Sequence, residues 1–319
     1  MTKRRPTRHS TAPATPGAIR DRMLDRVEAR IGELLTAEHT RWAAADRPAA
    51  TLVSDVATVV RGGADRIRPL LFLTGFLAAG GDPESRTAVD AAAALELLDT
   101  CWCIRGDTRD GAVLRRGVPT LHVSHAAEHE RNGWRGESRR FGEGTAVLAG
   151  DLALAYADRF AAALPPATRD GWERLRTERV LGAHGAAAAK AAYRDDPWPG
   201  SCVAGNCPRG CATGTYAVES PLVLGAELAG RHDLVDVYRD YGAKVHAAWR
   251  LNCFLSGGAE FDDDAALMRD MLLDDQGRRE ARVRAAGLAA DAANTADQAP
   301  LPPAWRTELA SLASFVATA

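Results

Sequence analysis

Residues Ala93–His122 read AALELLDTCWCIRGDTRDGAVLRRGVPTLH, and their pattern decides what the rest of the chain is. The Ala/Leu-rich first part has no proline and predicts a helix over about 87–107. A second helix is expected over 120–132. Asp107 and Asp110 stand at i, i+3 and therefore on one helical face. Arg105 and Arg109 lie close enough to compete for them. These aspartates either hold a divalent cation or simply pair with the arginines.

Outward from this stretch the same period recurs. Ile19, Met23, Val27, Ile31, Leu34 and Leu35 repeat at spacings of three and four. Further helices are expected near 51–60, 67–80, 142–163, 168–193, 211–229, 232–256, 278–293 and 303–317. Short breaks such as Gly80-Gly81-Asp82-Pro83 and Leu164-Pro165-Pro166 separate them. No stretch alternates for long in the β manner, so the chain reads as an all-α bundle of about ten or more helices. Residues 1–17 are basic, rich in Pro and Thr and poor in apolar side chains, and are expected to form a disordered tail. Residues 18–319 then make a single domain. The irregular stretch is 195–210, DDPWPGSCVAGNCPRG.

Composition removes several classes of function. A net charge of −2 gives no general attraction to nucleic acid or to an anionic membrane. No apolar run is long enough for a membrane span, and no apolar signal core follows the basic N-terminus, so a cytoplasmic location is expected. Six cysteines in 319 residues do not make a disulfide framework. Cys202, Cys207 and Cys211 cluster in the irregular stretch without a strong metal signature. His122, His125 and His129 share a helical face that reads as a partly exposed surface.

Three segments in order resemble the trans-polyprenyl diphosphate synthases. Gly62-Gly63-Ala64-Asp65-Arg66-Ile67-Arg68-Pro69 is similar to that family's GGKRIRP. Residues 93–122 are similar to the helix bearing its first aspartate-rich motif and the RRGxPT turn. Phe141–Asp158, FGEGTAVLAGDLALAYAD, is similar to its next helix. The resemblance implies a class I isoprenoid-synthase helical bundle around a central cavity, a prenyl diphosphate substrate, Mg2+, and a homodimer or a heterodimer with a homologue. Hard cations need oxygen ligands, and arginines suit diphosphate because they bind it in two-point fashion.

The sequence also departs from that pattern. DDxxD falls on Gly106, Asp107, Thr108, Arg109 and Asp110, so the first carboxylate is missing. The second aspartate-rich motif is replaced by Leu251-Asn252-Cys253-Phe254-Leu255. There Asn252, Ser256 and Glu260 stand at i, i+4, i+8, a spacing similar to the NSE metal motif of terpene cyclases. Gly257 and Gly258 weaken the helix that this stripe needs. Asp107, Asp110, Asn252, Ser256 and Glu260 are thus the candidate magnesium ligands. Arg115 is the candidate diphosphate clamp and Arg209 the candidate pyrophosphate sensor.

At the second, isopentenyl diphosphate site the family lysine falls on Ala64 or Asp65 and its His/Gln on Asp99, while Arg68 and Arg116 persist. A carboxylate beside a diphosphate repels it by about 4 kcal/mol at 4 Å and an effective dielectric near 20. Asp65 and Asp99 are therefore expected to pair with Arg66, Arg68 or Arg116. Trp102, four residues before the Gly106 position, suggests a shallow pocket floor and a short prenyl chain, or plain core packing. On this reading the leading expectation is cyclisation or elimination of an allylic diphosphate. Chain elongation and a degenerate partner subunit are the alternatives.

Overall fold

The computed structural model describes residues 15–63, 66–191, 215–256 and 274–318. Among these, eleven α-helices account for nearly all regular structure: α1 (Pro16–Ala43), α2 (Arg47–Gly62), α3 (Ile67–Ala78), α4 (Arg86–Asp110), α5 (Leu121–Arg131), α6 (Ser138–Ala161), α7 (Pro166–Ala191), α8 (Ser220–Leu228), α9 (Val235–Ser256), α10 (Asp275–Gln298) and α11 (Pro303–Thr318). A π-helical turn, Thr215–Glu219, leads into α8, and a 3-10 turn, His232–Leu234, leads into α9. Two two-residue strands, β1 (Leu114–Arg115) and β2 (Val118–Pro119), form a hairpin between α4 and α5. None of the described helices is long and apolar enough to cross a membrane.

Local chemistry sets the helix starts. Thr15, Asp46 and Ser85 each accept a hydrogen bond from the backbone N–H three residues on, which satisfies an otherwise orphaned donor. Pro16 follows Thr15 in the first turn, where its missing N–H costs nothing. The first helix therefore begins at Pro16, two residues inside the stretch expected to be tail; residues 1–14 lie outside the described residues.

The centre of the bundle is α4. Every residue from Ala88 to Leu98 is buried, so this helix has no solvent face over three turns. It lies against α1, α3 and α6. Alanines at 88 and 91–94 let its neighbours come close, and Arg30 of α1 reaches Asp90 at 2.9 Å. Against α3, helix α8 approaches still more closely. A Cβ on Gly75 would meet the Leu222 carbonyl oxygen at 2.6 Å, and one on Gly225 the Phe72 carbonyl oxygen at 2.5 Å. Tyr238 and Tyr241 of α9 are fully buried, and their hydroxyls donate to the carbonyls of Gly75 and Leu309. They tie α9 to α3 and α11.

One expectation about α5 is corrected. His125 and His129 are buried rather than on an exposed face. Phe141 of α6 packs on both rings, and Trp134 packs edge-on to His129. His125 Nε2 meets Asp55 of α2 at 2.9 Å, and its Nδ1 meets Glu128 at 3.3 Å.

Candidate active site

The candidate site is built at the C-terminal end of α4. Gly111, at φ +66°, stops the helix, and the chain turns back through the hairpin. Leu114 pairs with Pro119 and Arg115 with Val118, which leaves Arg116 and Gly117 as the two-residue connection. Both have positive φ, +51° and +77°, as the tight turns favoured in such hairpins require. The Thr120 hydroxyl donates to the Ala112 carbonyl at 2.7 Å and closes the base. Arg116 donates to the Gly62 carbonyl at 2.5 Å, so the hairpin is also tied to the end of α2.

This fold-back brings Arg115 onto Asp107. The Arg115 Nε lies 3.0 Å from Oδ1 and 2.7 Å from Oδ2, and Nη2 lies 2.6 Å from Oδ1. Asp107 keeps 11% of its side chain exposed and Arg115 keeps 45%. The hydrogen bonds from Arg115 to Asp107 raise the guanidinium pKa above its already high value. The two candidate metal ligands are thereby separated in kind. Asp110 is 46% exposed and pairs with Arg109 at 2.7 Å, whereas Asp107 is turned under the hairpin. Arg105, expected to compete for these aspartates, instead pairs with Asp151 of α6.

The other arginines are also engaged. Arg68 reaches Asp99 at 2.8 Å, as expected from the sequence. Arg66 takes the left-handed conformation at φ +42°. It pairs with Glu96 and lies 3.3 Å from Glu28, two partners the sequence reading missed. Burial raises the Glu96 pKa against the lowering effect of Arg66. Asp99, Cys103 and Asp107 form an i, i+4, i+8 stripe, a spacing legible in the sequence but overlooked there. Burial pushes the Cys103 thiol up to about 12, with Asp99, Arg115, Arg68 and Asp107 as its charged neighbours. A thiol held protonated in this way is a spacer between two ion pairs rather than a nucleophile.

Trp102 occupies a different face of α4. It lines a cavity of about 320 Å³ with Leu98, Leu154 and Val180 and with the charged Arg105, Glu173 and Arg176. The Arg179 guanidinium lies 4.7 Å from its ring centre and that of Arg105 lies 5.8 Å away. Both are in range for cation–π attraction. The site is thus less apolar than a hydrocarbon pocket of plain aliphatic walls.

Asn252 is half-buried near the end of α9, and Ser256 is the last residue of that helix. Glu260, Arg209, Asp65, the cysteines at 202, 207 and 211 and the acidic run 262–264 lie outside the described residues. Among the described residues, no three His, Cys, Asp or Glu side chains form a ready cluster for a metal ion. The donor chemistry still fits magnesium: Asp107 and Asp110 supply hard oxygens on the last turn of α4. Asp107 already shares both of its oxygens with Arg115.

Comparison with known proteins agrees with this architecture. Residues 50–180 match the polyprenyl synthetase family model. A geranylgeranyl pyrophosphate synthase 11 of Arabidopsis thaliana is 40% identical over 97 residues, 30% of this chain. A short chain isoprenyl diphosphate synthase of Methanothermobacter thermautotrophicus is 33% identical over 120 residues, 38% of this chain. These matches span only 22% and 31% of the relatives' own lengths. The structural likeness is longer. A geranylgeranyl pyrophosphate synthase of Corynebacterium glutamicum, crystallised with isoprenyl diphosphate and magnesium, superposes with a TM-score of 0.74 at 25% identity. It covers 95% of this chain and 98% of that one. Residues 50–180 thus match the polyprenyl synthetase family, and the chain shares its all-α fold with the solved geranylgeranyl pyrophosphate synthase.

Proposed function

We propose that the chain is a prenyl diphosphate synthase-type enzyme that joins an allylic diphosphate to isopentenyl diphosphate. The observation that carries this reading is the placing of Arg115 on Asp107 and of Arg68 on Asp99, about two turns apart on α4. The fold around them is one that a relative uses with isoprenyl diphosphate and magnesium. Arg115 would hold the allylic diphosphate oxygens in two-point contact, and Arg68 and Arg116 the second diphosphate. Asp107 and Asp110 would hold Mg2+, which neutralises the charge that develops as pyrophosphate leaves. Leu98, Trp102 and Leu154 of the cavity beside α4 would exclude water from the cation left behind. Trp102 would limit the growing chain and favour a short product.

The cyclisation expected from Asn252, Ser256 and Glu260 has less behind it. The relatives above are synthases, and Glu260 lies outside the described residues. A second reading, a catalytically degenerate partner subunit, is favoured by one observation: the surviving Asp107 has both oxygens engaged by Arg115. Assembly as a homodimer or with a homologue, and a cytoplasmic location, belong to the same proposal.

One experiment separates these readings. The purified protein is incubated with magnesium and C10, C15 or C20 allylic diphosphates, with and without isopentenyl diphosphate. Longer diphosphates that form only when isopentenyl diphosphate is present are the expected result. Hydrocarbon released without it would replace elongation by cyclisation. Silence throughout, reversed by adding an active homologue, would leave the partner-subunit reading.

A further inference from the structure

We propose that the Arg115–Asp107 pair is a charge latch that makes binding of a diphosphate and of a divalent cation mutually dependent. The inference rests on the reading that Arg115 receives a diphosphate. It goes beyond that reading by assigning Asp107 as the internal anion that the diphosphate must displace.

Three observations carry it. The pair engages both carboxylate oxygens through three contacts of 2.6–3.0 Å, so no Asp107 oxygen is left without Arg115. The partners differ in access: Asp107 is 11% exposed and Arg115 is 45% exposed, so an incoming anion meets the guanidinium first. Finally, the hairpin backbone is anchored independently of the pair, by its own strand pairing and by Thr120 on the Ala112 carbonyl. The Arg115 side chain can therefore exchange partners by rotation while its backbone stays in place.

The exchange cannot be one-sided. A largely buried carboxylate stripped of its cation is strongly disfavoured. If a diphosphate draws Arg115 away, Asp107 must gain another cation. If a divalent cation takes Asp107, the half-exposed Arg115 is released and can take an incoming anion. Each ligand therefore supplies what the other displaces, and linkage requires the coupling to be equal in both directions.

The test uses the full chain, stripped of metal with EDTA, and inorganic pyrophosphate as the probe in isothermal titration. Asp107→Asn releases Arg115 from its anion and should bind pyrophosphate at least tenfold more tightly than the wild type. The double variant Asp107→Asn/Arg115→Gln should lose that gain. In a separate arm, Mn2+ uptake is followed by electron paramagnetic resonance. Arg115→Gln should bind Mn2+ without pyrophosphate at least tenfold more tightly than the wild type, which should need pyrophosphate to bind it. Equal pyrophosphate affinity in Asp107→Asn and wild type overturns the latch. So does equal Mn2+ affinity in Arg115→Gln and wild type. If one single variant fails to fold by circular dichroism, the other arm decides. Neither arm measures turnover, so a chain that is silent with allylic diphosphates can still show the latch.

Discussion

Arg68 of α3 donates to Asp99 of α4 at 2.8 Å, and the two side chains are exposed to nearly the same degree, 22% and 21%. The pair neutralises an arginine that the resemblance assigns to a second diphosphate. It also sets a carboxylate beside the arginine proposed to hold that diphosphate. Replacing Asp99 should therefore change binding more than folding. Gln at this part-buried position keeps an acceptor for Arg68, whereas removing a negative charge beside a diphosphate acts on affinity directly.

Asp99→Gln should lower the KM for isopentenyl diphosphate by about tenfold, equivalent to about 1.4 kcal/mol, with a melting temperature within a few degrees of wild type. Steady-state kinetics at saturating allylic diphosphate give the answer. An unchanged KM would mean that Asp99 does not face the second substrate.

Trp102 sets the second prediction. Trp102→Ala removes the large ring between Arg105 and Arg179 and enlarges the 320 Å³ cavity at its α4 wall. Products should lengthen by at least one C5 unit, read by chromatography after phosphatase treatment. Trp102→Phe should leave product length closer to wild type. Identical products from the wild type and Trp102→Ala would assign the tryptophan to packing alone.

The third concerns pH. Hydrogen bonding to Asp55, opposed by burial and reinforced by the charges of Asp55 and Glu128, raises the His125 pKa above its ordinary value. A raised folded-state pKa means that the charged form is favoured by folding. The stabilisation is complete below the unfolded value near 6.5 and is lost as pH rises through the folded value. His125→Asn should cost about 1.5 kcal/mol at pH 5.5, the scale of a charge-assisted hydrogen bond. The difference between wild type and variant should shrink as pH rises toward 9. Chemical denaturation across that window tests it, and a pH-independent difference would show that His125 acts through packing.

The fourth tests the α3–α8 crossing. Gly75→Ala puts a methyl group 2.6 Å from the Leu222 carbonyl oxygen, and backbone must move to admit it. The expected cost is about 1–3 kcal/mol, seen as a lower denaturant midpoint with an unchanged m-value. Gly62→Ala is the control, because a Cβ there meets nothing within 4 Å.

Sequence pattern carried the helical architecture a long way. The periods of three and four, and the breaks at Gly80-Gly81 and Pro165-Pro166, locate the helices from α2 to α7 to within a few residues of their observed bounds. The Arg68–Asp99 pair was legible too, from the conflict between a carboxylate and its expected neighbour. The partners of Arg66 were not, nor was the burial of His125 and His129 under Phe141. Helix start and stop are short-range properties, written in caps, prolines and glycines within a turn or two. The charge state and exposure of the site depend on groups brought together from separate segments: α1, α3, α4 and the hairpin. Asp107 and Asp110 are three residues apart and alike in a string of letters. Only the folding of the hairpin back over α4 places Arg115 on one and leaves the other in solvent beside Arg109.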